Sequence, residues 1–351
     1  MQCRDFSGPD QHAARFPRES IPSDVHWLAQ SLTDPFTSHT DKARALFTWC
    51  HHNIDYNCHD FFNKSVKPST PQSTMETGLA VCEGYASLFN AMALAVGLES
   101  VVIGGHGMGF AKKPIGADEP TPPEDATGHA WNVVKIDNNE WKLIDVCWGA
   151  GHLGDDQTYH RSFHSERFTQ SNNDFGLDHF PSDPNQQFRE DGRIMSWDEY
   201  IRGPLNGQEK LTVYTGCKEE NGINEKSFQP YTKHIRMRGV PGTKRVQFMF
   251  ASICEHWDPI KHGKGKPYQY VLAVGGRDGR NRKNVPFRTN GRHWWLDIEL
   301  RELGSVGQSV HLYTVTSIDG QDGRGVTLEQ YEAAVGRKGM GFGGVACWQL
   351  I

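Results

Sequence analysis

The sequence predicts an α+β fold over residues 39–205, followed by an antiparallel, sandwich-like β domain over residues 206–351. Three observations carry this. Two apolar stretches with helical spacing, near 40–53 and 82–97, are followed by β-branched or alternating segments at 100–103, 130–136 and 141–148. Composition changes after about Gly207, where short alternating runs are separated by Gly, Asn, Asp and Pro. The chain has 351 residues, 37% hydrophobic and 11% aromatic, which is material for two cores rather than one.

Taken in order, residues 1–38 carry several prolines and few periodic positions, and read as an irregular arm with one short helix near 25–31. Residues 40–53 form a helix, because Ala43, Leu46, Phe47, Trp49, Cys50 and Ile54 recur on one stripe and Thr40 or Asp41 can cap it. Residues 57–78 are polar, contain Pro68 and Pro71, and read as a loop. A buried helix starts at Cys82, with Glu83 the one charge between Ala80 and Leu98 and Gly97 as the stop. A strand at 100–103 runs into a glycine-rich turn at 104–109 and a proline-rich loop at 114–123. A hairpin follows, with strands at 130–136 and 141–148. Residues 150–190 show no clear period and read as a long excursion; a short helix near 196–201 ends at Gly203-Pro204. The boundary is placed near residue 205. Beyond it, strands are expected at 211–215, 234–237, 246–253, 268–274, 294–300 and 310–317.

Net charge is −5, so no global electrostatic argument favours nucleic acid or an anionic membrane surface. No stretch approaches the ~18 apolar residues of a membrane span, and residues 1–30 lack a signal-peptide pattern. Eight cysteines without a CxxC pair are too sparse for a disulfide scaffold and read as reduced thiols of a cytoplasmic protein.

A cysteine becomes a useful nucleophile where its thiolate is stabilised, and the first turn of a helix does this through unpaired N–H groups and the positive end of the dipole. Cys82 occupies such a position, and its own N–H can serve an oxyanion. Gly84, behind it, allows close approach of substrate. From position alone Cys82 reads equally as an activated nucleophile or an inert buried thiol. A base must come from elsewhere in the chain. Of 17 histidines, His129 opens a strand, and Asp145 lies in the otherwise apolar run Leu143-Ile144-Asp145-Val146-Cys147-Trp148, where a carboxylate needs a partner. Strand parity places the two on one face if the hairpin loop has three residues, Asp137–Asn139. The alternative is that Asp145 caps a turn or binds an arginine.

These residues stand in recognisable blocks. Gly78-Leu79-Ala80-Val81-Cys82-Glu83-Gly84-Tyr85-Ala86 resembles the nucleophile motif of the transglutaminase-like superfamily. His129-Ala130-Trp131-Asn132 and Trp141-Lys142-Leu143-Ile144-Asp145-Val146-Cys147-Trp148-Gly149 resemble its histidine and aspartate blocks. The helix ending Asn53-Ile54-Asp55-Tyr56 is similar to the segment before the nucleophile loop. His179-Phe180-Pro181-Ser182-Asp183-Pro184, with Gln186-Gln187, is similar to a block of the kyphoscoliosis-peptidase and cytokinesis-protein subgroup. The resemblance implies a papain-like core and a Cys82, His129, Asp145 triad that transfers an acyl group from a carboxamide or peptide bond through a thioester, without cofactor or metal. The acceptor is water or an amine, and the substrate a protein, peptide or peptide-like molecule. Two other readings stand beside it: a non-catalytic interaction module that keeps the fold, and a cyclase or amide-forming enzyme acting on a small peptide-like substrate.

Other signals carry less. Trp131, Trp148 and His106 are candidates to line a substrate groove, with hairpin core as the bland reading for the tryptophans. Gly105-His106-Gly107-Met108-Gly109 is no nucleotide loop, because prolines rather than a helix follow it. His51, His52, Cys58 and His59 match no zinc spacing, and the basic run 277–283 reads as a solvated hairpin tip.

Overall fold

A computed structural model describes residues 4–109, 114–116, 119–203, 209–214, 216–217, 220–238, 244–254 and 256–351. The sequence-predicted linker at 204–207 and part of the proline-rich loop lie outside these. The chain forms two compact units, Met1–Gly207 and Gln208–Ile351.

The first unit is α+β. Its centre is the helix Cys82–Ala95, which buries Tyr85, Leu88, Phe89 and Met92 against the helix His39–Asn53 and a four-stranded antiparallel sheet. The sheet runs in the order Trp141–Ile144, His129–Lys135, Ser100–Gly107, His179–Pro181. The helix His39–Asn53 presents the predicted stripe, with Ala43, Leu46, Phe47, Trp49 and Cys50 all buried. Its cap is Ser38, whose hydroxyl accepts the Asp41 N–H at 3.1 Å, rather than Thr40 or Asp41.

Several segments read as irregular are ordered. The stretch 1–38 holds two helices, Ser7–Ala13 and Val25–Thr33. Asp24 caps the second by accepting from His26 and Trp27, and Phe6, Ala13, Leu28 and Leu32 join the main core. The 57–78 loop contains the helices Cys58–Phe62 and Pro71–Thr77. Pro71 sits at the start of the second, where a missing N–H costs nothing, and Thr70 and Ser73 form a capping box. The 150–190 excursion folds into a hairpin (Gly151–Leu153 with Tyr159–Arg161), two short helices, and the edge strand His179–Pro181.

The glycine-rich turn is instead the continuation of a strand that reaches Gly107. Gly105 pairs with His129 on one side and Pro181 on the other. A Cβ on Gly105 would lie 2.2 Å from the Phe180 carbonyl oxygen and 2.5 Å from the Trp131 ring, so glycine is what lets three strands and a tryptophan meet.

The second unit packs a three-stranded sheet (Arg245–Ala251, His293–Glu299, Arg288–Thr289) over a seven-stranded one. Phe248, Phe250, Trp294 and Ile298 of the first meet Tyr270, Leu272, Leu312 and Trp348 of the second. Its longest strand, Met340–Leu350, was not expected, because glycines at 341, 343 and 344 break the alternation. One short pair, His234–Ile235 with Gln349–Leu350, is parallel.

Candidate active site

The hairpin register gathers the polar residues. Asn132 pairs with Ile144 and Lys135 with Trp141, across a turn at Asp137–Asn139 in which Asn138 and Asn139 both have positive φ. Asparagine tolerates that conformation through local hydrogen bonds. The return strand expected over 141–148 ends at Ile144, because Asp145 caps a helix, Val146–Ala150, that takes up its second half. The two readings of Asp145 therefore hold together. Its Oδ1 accepts the Trp148 N–H at 2.8 Å, while its Oδ2 accepts from His129 Nε2 at 2.7 Å.

Asp145 is fully buried and has a third donor, His179 Nε2, at 2.9 Å from the same Oδ2. Burial alone would raise its pKa, but His129 and His179 outweigh this and hold the carboxyl well below the usual carboxylate range. Since that carboxylate can only accept, His129 carries a proton on Nε2, which leaves Nδ1 as the nitrogen free to serve Cys82, a neighbour close enough to act on the charge of the ring. Burial opposes charge on His129, yet Asp145 and Cys82 raise it to about 9, so the imidazolium form is favoured at neutral pH. Cys82 is the first residue of its helix, capped by Val81 without a side-chain hydrogen bond. Its N–H lies in the first turn, where the helix offers it no acceptor, and the thiol sits at the positive end of the dipole.

Behind Asp145 the network continues. His179 Nδ1 lies 2.7 Å from Asp178 Oδ1, and Asp178 Oδ2 accepts from Arg167 at 2.6 Å. Burial would raise Asp178, but His179 and Arg167 bring it down to about 2. The Arg167 guanidinium is 4.9 Å from the centre of the Trp148 ring, and Trp148 stacks on His129 at 4.5 Å. The path Cys82, His129, Asp145, His179, Asp178, Arg167 thus returns through Trp148 to His129.

His129 Nε2, Asp145 Oδ2 and His179 Nε2 also qualify by proximity as a metal-ligand group, all lying within 4.8 Å of one another. The geometry favours hydrogen bonds. Both nitrogens approach one carboxylate oxygen at 2.7 and 2.9 Å, whereas ligands around a tetrahedral zinc at ~2.0–2.1 Å stand about 3.3 Å apart.

Cys82 and His129 line a cavity of about 540 Å³. Trp148 is in its wall, and Tyr56, Phe61, Met108, Leu153 and Tyr159 also line it. At its end Glu166 lies 3.3 Å from His164, and Arg167 is paired with Asp178. The remaining sequence candidates lie elsewhere. Gly84 faces its own chain, where a Cβ would meet Ser69 Oγ and Ala80 Cβ at 2.8 Å. Trp131 is buried behind His129 and His179 as hairpin core. His106 alternates to the other side of its strand, where Nδ1 bonds Tyr200 Oη at 2.9 Å and the ring packs on Trp197. Cys147 lines the cavity, but burial pushes its thiol far up, and the neighbouring Asp145 and Cys82 add to the effect. His179 was singled out as no site residue. Its one sequence signal is the His179-Phe180-Pro181 block.

With this geometry in view, the comparisons with known proteins are specific. Residues 27–146 match the family described as the transglutaminase-like superfamily. These residues are a transglutaminase-like domain. Kyphoscoliosis peptidase of Mus musculus is 29% identical over 196 residues, covering 53% of this chain and 27% of the relative. The Homo sapiens protein is 30% identical over 215 residues, covering 52% of this chain and 30% of its own length. The chain thus spans less than a third of the curated relatives it matches. Among solved structures, one of a candidate cysteine protease from Cytophaga hutchinsonii is 20% identical over 41% of this chain and 43% of that one, with a TM-score of 0.26. A TGase is 17% identical over 47% and 37%, also at 0.26. The matched span includes Cys82, His129 and Asp145 of the transglutaminase-like domain, and ends before His179.

Proposed function

We propose that this protein is a cysteine-dependent acyl-transfer enzyme or hydrolase acting on a carboxamide or peptide bond, with Cys82 as nucleophile, His129 as general acid and base, and Asp145 orienting His129. The observation that carries the reading is a helix-N-terminal thiol, Cys82, lining one cavity with His129, whose Nε2 is held at 2.7 Å by the fully buried carboxylate of Asp145.

The Cys82 thiolate attacks the carbonyl carbon, forming the C–S bond as the carbonyl π electrons move to oxygen. The N–H of Cys82 stands ready for that oxyanion. As the C–N bond breaks, the His129 imidazolium gives its Nδ1 proton to the departing nitrogen, leaving a thioester. Neutral His129 then takes a proton from water or an amine as it attacks the thioester, and Cys82 leaves as thiolate. Asp145 keeps the proton of Nε2 in place throughout. The apolar residues lining the cavity, and the pairing of Arg167 with Asp178 at its end, suit a neutral, bulky side chain beside the reacting carbonyl. Among the described residues no helix is long and apolar enough to cross a membrane.

Site-mapped alkylation with limiting iodoacetamide at pH 6 tests the reading. An ordinary thiol of pKa near 8.5 is less than ~1% thiolate there. Fast labelling confined to Cys82, slowed roughly 10²-fold by His129→Ala, is expected. A Cys82 that reacts no faster than the other thiols would leave a transglutaminase-like binding module as the better description.

A further inference from the structure

His179 has an unusual position for a histidine. Its side chain is wholly buried, and each ring nitrogen faces a carboxylate oxygen, Nε2 toward Asp145 at 2.9 Å and Nδ1 toward Asp178 at 2.7 Å. Both carboxyls are held in the ionised form, so neither can donate. A neutral imidazole has one donor and one lone pair, and would point that lone pair at an anionic oxygen. The ring satisfies both neighbours only when both nitrogens carry protons. The Phe175 ring, stacked at 3.8 Å, and Trp131, edge-on at 5.0 Å, leave it no room to turn away.

We propose that His179 is a positioning residue that carries a fixed positive charge behind the triad, holding Asp145 in register for His129 and sharing its negative charge. This rests on the reading of Cys82 and His129 as an active pair. Asp145 Oδ2 divides its acceptance between two rings, so it restrains His129 without holding its proton as tightly as an unshared carboxylate would. The charges then close. When the thiolate–imidazolium pair forms, the cations Arg167, His179 and His129 face the anions Asp178, Asp145 and Cys82 in one buried cluster. Without the charge on His179 that cluster would carry an excess anion, which disfavours the thiolate. The other ionisable groups on elements packed here do not alter the count. Burial keeps Tyr56 and Cys147 protonated, and Glu166, which faces His164 at 3.3 Å, lies outside the hydrogen-bonded cluster.

The test follows iodoacetamide labelling of Cys82 against pH in the full chain. The rate rises once as the thiolate forms and changes again as His129 loses its proton. His179→Gln keeps an N–H for Asp145 but no charge, and His179→Phe keeps neither. The glutamine variant is expected to retain an activated Cys82 while its upper inflection moves up by about one pH unit, because His129 is then the one cation bonded to Asp145 and no neighbouring positive charge opposes it. The phenylalanine variant is expected to lose roughly tenfold in labelling rate at pH 6. A glutamine variant with the wild-type upper inflection, or a phenylalanine variant as reactive as wild type, overturns the proposal and leaves His179 as packing. Failure of the underlying reading shows separately, as a wild-type Cys82 without enhanced reactivity. Should the phenylalanine variant not fold, ¹⁵N spectra of the wild-type histidines decide independently: two protonated nitrogens on His179 support the assignment, and a neutral tautomer overturns it.

Discussion

Trp148 lies against His129 with ring centroids 4.5 Å apart and ring planes 19° from parallel, so one face of the imidazole is fixed by an indole. Trp148 is also where the network closes, through Arg167, and where the cavity wall begins. Its backbone N–H, bonded to Asp145 Oδ1, survives any substitution other than proline. Trp148→Ala should therefore leave Asp145 capped but let the imidazole rotate. Stacking of this kind contributes about 0.5–1.5 kcal/mol, so the labelling rate of Cys82 at pH 6 should fall about two- to tenfold, with Trp148→Phe recovering most of it. An unchanged rate in the alanine variant would show that Asp145 alone orients the ring.

Two glycines of one strand should separate stability from reactivity. A Cβ on Gly105 meets the Phe180 backbone oxygen at 2.2 Å, and a backbone cannot step aside without moving a strand. Gly105→Ala should cost about 1–3 kcal/mol in urea denaturation. A Cβ on Gly107 meets side chains instead, His129 Cδ2 and Trp148 Cζ2, both at 2.9 Å. Gly107→Ala should change stability little and slow Cys82 labelling, since its clash is relieved by displacing the base. Equal effects of the two substitutions on both measurements would contradict this division.

These glycines also mark where sequence legibility stops. The helix Cys82–Ala95 was readable because a near-uncharged apolar stripe begins at Cys82, and the three-residue turn Asp137–Asn139 was accessible to parity arithmetic. The strand through Gly104 and Gly107 was not, because local propensity reads a glycine run as a turn. What makes it a strand is close approach of Trp131, Trp148 and Phe180, all remote in sequence. His106 was misplaced by the same error: in a loop it can reach a cavity, whereas in a strand it alternates away from Gly105 and Gly107. Pro71 was read as a breaker although at a helix start it is an initiator. His179 is the plainest case. Its partners are 34 residues away at Asp145 and adjacent at Asp178, and only the folded sheet edge brings all three together.

The buried ion pairs predict a pH profile for stability. His129 is raised to about 9 from an unfolded value near 6.5, so its contribution is complete below about 6.5 and disappears as pH rises through 9. Asp178, lowered to about 2, contributes fully above about 4 and is lost as pH falls through 2, and Asp145 follows the same direction. The two contributions are both complete between about 4 and 6.5. Lys142 acts oppositely on the alkaline side. Burial lowers it to about 8, so the fold gains stability as pH climbs from there toward its unfolded value near 10.5. The measurement is therefore a difference between wild type and His129→Asn in urea denaturation at each pH, which cancels Lys142. The difference should stand at roughly 2–3 kcal/mol near pH 6 and shrink toward zero by pH 10. A difference that does not vary with pH would mean that His129 is uncharged in the fold.

Asp145 supplies a cap from one oxygen and a hydrogen-bond acceptor from the other, and Asp145→Asn can keep the first while inverting the second. The asparagine oxygen can still take the Trp148 N–H, now 2.8 Å from Oδ1. Its amide nitrogen then occupies the place of Oδ2, where it meets His129 Nε2 and His179 Nε2, both of which donate in the wild type. A donor facing two donors is untenable in a site with no solvent, so His129 must move its proton to Nδ1. That proton then points at Cys82, and the imidazole has no lone pair with which to accept from the thiol. The variant should fold, because the helix cap survives, and lose about 10²-fold in Cys82 labelling at pH 6. Turnover of any carboxamide donor should fall further, about 10³–10⁴-fold, as expected for a base held in the wrong tautomer. Asp145→Ala removes cap and acceptor together and should add a loss of about 1 kcal/mol in stability from the helix Val146–Ala150. An asparagine variant that labels as fast as wild type would show that Cys82 draws its reactivity from the helix N-terminus alone, and the triad reading would then reduce to a lone activated thiol.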